Sequence, residues 1–200
     1  MANIFYVRQN KPLGLGHAVL KAKPFIGDEP FIIALGDDIM HNDSNPVSKQ
    51  LIDAYSKHGA SVIGVQEVAP EDVSKYGVVA PVAVLDDSTI EISDFVEKPA
   101  LEDAPSHMAC LGRYLLDGKI FEYLEKTEPG KGGEIQLTDA ILKMMKDDKR
   151  VLAYNFDGKR YDIGNKIGLL KANIEFGLRN EETAEDLREY LKQLGYSLEK

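Results

Sequence analysis

The sequence predicts an α/β fold. Apolar runs of strand length recur, helix-like segments separate the first three of them, and the runs lack clean alternation. They lie at residues 4–7, 31–35 and 61–65, then at 108–116 and 151–156. Runs without alternation suit strands buried on both faces, and alternating strand and helix imply a largely parallel sheet with crossover helices.

Taken in order, the first helix is expected near Leu15, after a turn carrying Gly14 and Gly16. The segment "NPVSKQLIDAYSKHG" sets Val47, Leu51, Ile52 and Tyr55 on one helical face. Asn45 is its candidate cap, Pro46 takes the first helical position and Gly59 stops it. Residues 76–116 change character: "YGVVAPVAVLDDSTIEISDFVEKP" reads as a β-hairpin with its turn near Asp86 and Asp87. Helices are then expected at 118–126, "EIQLTDAILKMMKDD", "NKIGLLKANIEFGL" and "TAEDLREYLKQLG". In the last, Leu187, Tyr190, Leu191 and Leu194 recur at helical spacing, which reads as a packing or dimerising face.

Two hundred residues suit one ordinary domain with a substantial core. The 24 basic residues against 33 acidic ones, net −9, argue against nucleic acid or an anionic membrane as partner. "YGVVAPVAVL", ten residues interrupted by Pro81, is the longest apolar stretch. A membrane-spanning helix needs about 20. No signal layout opens the sequence and Cys110 stands alone, so a cytoplasmic protein without disulfides is expected.

"KPLGLGHAV" carries two glycines between a strand-like and a helix-like run, but Val19 stands where a dinucleotide fingerprint needs its third glycine. No Gly-Lys-Ser/Thr follows either, so the stretch is a structural turn or a close-approach loop for a flat ligand. Gln9, just before it, could read a base edge, since its amide offers both donor and acceptor. "ALGDDIM" puts Asp37 and Asp38 beyond a buried strand, where ligands of open α/β sheets sit and where carboxylates suit Mg²⁺ with phosphate. An exposed turn is the alternative. In "FVEKP", Pro99 and strand twist can bring Glu97 and Lys98 into one cleft, Glu97 for sugar hydroxyls and Lys98 for a phosphate. A solvated strand end is the equal alternative. Asp162 in "YDIGNK" could complete a two-carboxylate metal site with Asp37 or merely begin a turn. Glu134, after Gly130, Gly132 and Gly133, could cap a helix or touch a hydroxyl-rich ligand. The four histidines and one cysteine show no zinc spacing.

The order of "RQNKPLGLGHAV", "LGDD", "KYGVV", "FVEKP", "GRYLL", "GEIQLTDA" and "DIGNK" resembles the bacterial UTP–glucose-1-phosphate uridylyltransferases, within the sugar-nucleotide pyrophosphorylases. The resemblance runs from about Ile4 to about Asn180. It implies a Rossmann-like nucleotidyltransferase sheet with helices on both faces and a small β-hairpin region. It also implies synthesis of UDP-glucose and pyrophosphate from UTP and glucose 1-phosphate with Mg²⁺. Carried over, Gln9 and the Gly14 and Gly16 loop would meet uracil, and Asp37 and Asp162 would hold the metal. Gly77 and Glu97 would contact glucose, Lys98 would be the catalytic contact to a phosphate oxygen, and Glu134 would join the sugar side. The second aspartate, Asp38, need not be acidic in the family.

On this reading residues 1–200 form one domain: 4–116 the sheet core and sugar-binding strands, 117–180 helices and the metal-site strand, 181–200 the last helix. The sequence contains neither the family's G-x-G-T-R loop nor its P-K-E-M-type segment. The expectation is therefore a fold lacking its N-terminal part, with 4–7 an edge strand open to pairing. Poor activity or none of these residues alone follows from the same absence. The other readings are a non-catalytic sugar-phosphate or UDP-glucose binding module, and an interaction protein or homo-oligomer that completes its sheet with another chain.

Overall fold

Seven α-helices and eight strands follow one another in the computed structural model, which describes residues 2–198. In chain order they begin with α1 (Leu15–Leu20), α2 (Lys23–Ile26), β1 (Phe31–Ala34), β2 (Asp38–His41) and α3 (Val47–His58). Next come β3 (Ser61–Glu67), β4 (Gly77–Val84), β5 (Thr89–Glu97), β6 (Met108–Leu116) and α4 (Ile120–Glu125). The last are α5 (Leu137–Lys146), β7 (Val151–Asn155), β8 (Lys159–Asp162), α6 (Lys166–Arg179) and α7 (Ala184–Leu198). Contacts divide them into two units. The first runs to Leu35 and takes in Asn42–Gly158; the second joins Gly36–His41 to the chain from Lys159 onward. That partition is not a linear one: six residues between β1 and α3 belong with the C-terminal stretch. Of the segment 181–200 expected as a helix, residues 199 and 200 lie outside the described residues.

The first unit is built on a six-stranded sheet in the order β1-β6-β3-β7-β5-β4. It corrects the expectation of a largely parallel sheet: β3 with β7 is its parallel pairing, and β1–β6, β3–β6, β4–β5 and β5–β7 are antiparallel. The reason is connectivity. Strands β4 and β5 are joined by a tight turn in which Asp86 Oδ1 accepts from the amides of Ser88 (3.2 Å) and Thr89 (2.7 Å). Such a hairpin makes its strands antiparallel, and no crossover helix is needed.

Alternation along the strands gives the sheet two apolar faces. Ile63, Val65, Tyr114, Leu116, Val151 and Ala153 share one cluster with Val19 of α1, Phe121 and Leu124 of α4, and Ile141 and Met144 of α5. Val62, Leu115 and Leu152, their buried neighbours in sequence, point the other way, where Val47, Leu51 and Ala54 of α3 are also buried. Helices therefore cover both faces.

Helix α3 starts one residue later than expected. Pro46 has extended backbone (ψ 137°), so Val47 is its first residue. Its left-handed end at Gly59 (φ 62°) is as expected. Ile52, expected on the inner face, is 45% exposed, while Gln50 is buried. The Gln50 amide donates to the carbonyls of Asn45 and Asp157 and accepts from the Asp157 amide, so its polar atoms are satisfied inside.

The expected strand at 4–7 does not form: these residues carry no ladder, and Ile4, Phe5 and Tyr6 are exposed. A strand exists only through its pairing, and among the described residues nothing pairs here. Phe5 instead meets Phe25 with ring centroids 5.7 Å apart. The strands at the two ends of the sheet order are β1 and β4, and β4 also pairs with β6.

In the second unit β2 pairs antiparallel with β8, Asp38 opposite Asp162 and His41 opposite Lys159. Phe176 of α6 packs on His41 and Tyr161, each at 5.4 Å between centroids. Asn165 caps α6 by accepting from Gly168 N at 2.7 Å. Along α7, Leu187 and Leu191 are half-buried, whereas Tyr190 and Leu194 are exposed, so the expected packing stripe is covered on only one side.

Candidate active site

In the first unit, the loop before α1 is clamped from behind by the chain entering α5. Gly16 N donates to the Ile135 carbonyl at 2.9 Å and Ile135 N donates to the Leu13 carbonyl at 2.8 Å. Neither glycine has room for a side chain. A Cβ on Gly14 would lie 2.8 Å from Glu134 Cβ and 2.8 Å from the Ile135 oxygen, and Gly14 has φ +99°. A Cβ on Gly16 would lie 2.8 Å from that same oxygen. The two glycines are thus needed for close approach of backbone to backbone. Half-buried Gln9 lies against this loop, its Nε2 3.1 Å from the Gly14 carbonyl and 2.8 Å from His17 Nδ1.

A second cluster forms where β4 begins and β5 ends. Gly77 stands opposite Glu97 in the ladder, and a Cβ on it would lie 2.7 Å from Phe95 Cε2 and 3.2 Å from Glu97 Oε2. Bare backbone therefore faces the carboxylate. Lys98 adopts φ +46°, a left-handed conformation rare for a side chain of this kind, and its amide donates to the Tyr76 carbonyl at 3.0 Å. This bend brings Lys98 Nζ to 3.7 Å from Glu97 Oε1, although neighbours on a regular strand point apart. Thr138, buried in the first turn of α5, donates from Oγ1 to Glu97 Oε2 at 2.6 Å.

The segment 134–138 therefore touches both clusters. Glu134 is exposed beside Gly14, and its Oε2 accepts from Gln136 Nε2 at 3.2 Å. Thr138, four residues on, holds Glu97. The structure places Glu134 next to the loop expected at the base, and Thr138 next to the residues expected at the sugar. Sequence reasoning missed Thr138, although a hydroxyl in the first turn of a helix that follows a Gly-rich loop was visible in "GEIQLTDA".

In the second unit Asp37 and Asp162 converge. A Cβ on Gly164 would lie 3.2 Å from Asp37 Oδ2 and 3.2 Å from Asp162 Oδ1, so both oxygens border one point. The chain holds them there: Ile163 N donates to the Asp37 carbonyl at 2.8 Å and Gly164 N donates to Asp162 Oδ1 at 3.1 Å. Asp38 has a different setting. It is buried, and Arg160 Nε donates to its Oδ1 at 2.5 Å. Burial pushes its carboxyl above the usual range, with the Arg160 guanidinium opposing that shift. Arg160 Nη2 lies 3.9 Å from Asp162 Oδ2. Asp38 thus spends its charge on a structural pair. Arg160 could have been noticed in the sequence, since i and i+2 on a strand share a face with Asp162.

Residues 2–177 match the family model described as nucleotidyl transferase. The chain is 52% identical over 194 residues to the UTP–glucose-1-phosphate uridylyltransferase of Staphylococcus epidermidis, covering 97% of this chain and 66% of that protein. It is 48% identical over 201 residues to the UTP–glucose-1-phosphate uridylyltransferase 2 of Streptococcus pyogenes serotype M1, covering 99% and 67%. Among solved structures, UDP-glucose pyrophosphorylase complexed with UDP-glucose superposes with a TM-score of 0.83 at 46% identity, over 88% of this chain and 66% of that one. The UTP-bound UGPase from Acinetobacter baumannii gives 0.83 at 37% identity, over 94% and 65%. The chain thus spans about two thirds of the length of these relatives.

Proposed function

The chain belongs to the nucleotidyl transferase family, and we propose that it serves a uridylyl transfer from UTP to glucose 1-phosphate, giving UDP-glucose and pyrophosphate. The observation that carries this reading is the 134–138 segment, which ties a glycine loop suited to a flat base to a glycine–carboxylate–lysine cluster suited to a sugar phosphate. The names of the relatives and the UDP-glucose and UTP in the solved structures agree with it.

An oxygen of the sugar phosphate attacks the α-phosphorus of UTP, and the bond from that phosphorus to the bridging oxygen breaks as pyrophosphate leaves. A phosphomonoester has its second pKa near ~6 and is a dianion at pH 7, so no general base is required. The protein's work is positioning and charge neutralisation. Gln9 and the Gly14–Gly16 backbone hold the uracil, and Gly77, whose lack of a side chain lets Phe95 and Glu97 pack close, contacts the hexose beside Glu97. Glu97, fixed by Thr138, accepts from a sugar hydroxyl, while Lys98 is the catalytic contact that offsets phosphate charge. Glu134 borders the base loop.

Asp37 and Asp162 would hold Mg²⁺. Their oxygens border one point and are hard donors, and this ion is usually held by one or two carboxylates together with substrate phosphates. Among the described residues no group of three or more metal-ligating side chains offers a fuller cage. Bound there, the ion supplies Lewis-acid charge to phosphate oxygens.

The 200 residues contain neither G-x-G-T-R nor a P-K-E-M-type segment. Loss of one preorganised donor commonly costs ~10²–10³-fold in rate. We therefore infer that these residues by themselves bind UDP-glucose but turn over slowly, far below the usual enzyme median of ~10 s⁻¹. Calorimetry with UDP-glucose, with and without Mg²⁺, tests the binding, and coupled pyrophosphate release tests the turnover. Binding that needs Mg²⁺ and is lost in Asp37→Asn and in Asp162→Asn is expected. Binding unaltered in both variants refutes the metal assignment, and turnover near ~10 s⁻¹ refutes the second inference.

A further inference from the structure

The structure assigns Arg160 a positioning role: it makes Asp162 a one-oxygen ligand and so favours Mg²⁺ over Ca²⁺ at the point between Asp37 and Asp162. The inference rests on the reading of that point as a metal site and adds which ion it takes.

The ladder between β2 and β8 gathers the groups concerned. Asp38 stands opposite Asp162, and Met40 stands opposite Arg160. Residues 38, 40, 160 and 162 therefore share one face, while His41 and Tyr161 meet Phe176 of α6 on the other. Carboxylates directly opposite on paired strands repel each other. Arg160, two residues before Asp162 and diagonal to Asp38, answers both. Its Nε donates to Asp38 Oδ1 at 2.5 Å, and its Nη2 lies 3.9 Å from Asp162 Oδ2. The first is a charge-assisted hydrogen bond; the second is a charge contact, too long to be one. The Asp38 and Arg160 side chains are only 9% and 15% exposed, so Asp38 anchors the guanidinium beside Asp162.

The two oxygens of Asp162 consequently differ. Oδ1 accepts from Gly164 N at 3.1 Å and borders the point shared with Asp37 Oδ2. An ionised carboxylate oxygen has more than one lone-pair site, so Oδ1 can keep Gly164 and still meet a cation. Oδ2 faces the anchored positive charge. A cation gripping both oxygens has to sit closer to the guanidinium than one on Oδ1 alone, and like charges at that range repel. Mg²⁺ loses little by this, since it uses few carboxylates and keeps several waters. Ca²⁺ loses more, because it takes more oxygens and draws some of them from bidentate carboxylates.

The test titrates Mg²⁺ and Ca²⁺ calorimetrically into the chain saturated with UDP-glucose, with UDP-glucose alone as the blank. It compares the wild type with the paired variant Asp38→Leu/Arg160→Met. Removing both partners leaves no unpaired buried charge, and Asp38 is no longer there to serve as a ligand itself. Loss of a group that orients a metal ligand commonly changes affinity ~10–100-fold. The ratio of Mg²⁺ to Ca²⁺ affinity should therefore fall roughly tenfold. Asp38→Asn/Arg160→Gln, which removes the charges and keeps polar partners, should lower it likewise and serves if the first pair does not fold. A purely structural role would weaken both ions alike and leave the ratio unmoved. An unchanged ratio in whichever pair folds overturns the inference while the metal site stands. If the wild type binds neither ion, or Asp162→Asn binds both as the wild type does, the metal reading fails and the inference falls with it.

Discussion

Replacing Thr138 with valine probes the link between α5 and the end of β5. The change keeps the shape of a 5% exposed side chain and deletes only the hydroxyl that donates to Glu97 Oε2 at 2.6 Å. A hydrogen bond to a charged group is worth ~1.5–3 kcal/mol. The Glu97 side chain is 21% exposed and can recover part of this from water, so the lower end, about 1.5 kcal/mol, is expected. That corresponds to roughly a tenfold change in an equilibrium constant. The loss should be seen in affinity for glucose 1-phosphate or UDP-glucose by calorimetry, because the freed carboxylate no longer has one orientation. Thr138→Ser keeps the donor and should bind like the wild type. If Thr138→Val binds as tightly as Thr138→Ser, Thr138 does not position Glu97 and the reasoning fails.

Two further outcomes follow from the same geometry. Gly14→Ala combines a strained φ of +99° with a Cβ 2.8 Å from backbone oxygen and should cost about 2–4 kcal/mol in chemical denaturation. Gly132→Ala has φ +74° but open space around it and should cost about 1 kcal/mol, so equal costs would argue against the clash. In the second unit, Lys159 and the Tyr161 hydroxyl hold the Glu175 carboxyl down to about 2. A depressed folded value stabilises the fold above the unfolded value of about 4.5, and the contribution fades as pH falls toward 2. The stability difference between wild type and Glu175→Gln should thus be constant near neutrality and shrink below about pH 4; a difference unchanged down to pH 2 would rule this out.

Most of the elements were legible because each is written in local chemistry. The β4–β5 hairpin announces itself through a two-aspartate turn, α3 through Gly59, and the buried β3, β6 and β7 through largely apolar runs. Pairing was not legible. The run at 4–7 has strand composition but no ladder, and the sheet is mostly antiparallel because partners are chosen by connection and packing, not by composition. Ile52 is exposed and Gln50 buried for a related reason: a distant backbone segment at Asp157 satisfied a buried amide.

The candidate site divides in the same way. Sequence alone determined which residue types are present and in what order: paired aspartates, a glycine loop after a glutamine, a Glu-Lys-Pro strand end. These fix the chemistry on offer, since a carboxylate or an amide keeps its donors and acceptors wherever it sits. Only the tertiary structure decided how they are used. It gave Asp38 to Arg160 and left Asp37 to converge with Asp162 over Gly164. It also bent the chain at Lys98 toward Glu97, set Thr138 against Glu97, and placed the Gln9 amide between the Gly14 carbonyl and the His17 ring. Hydrogen bonds and close approaches act over a few ångströms between residues far apart in the chain, and that proximity exists only once the chain has folded.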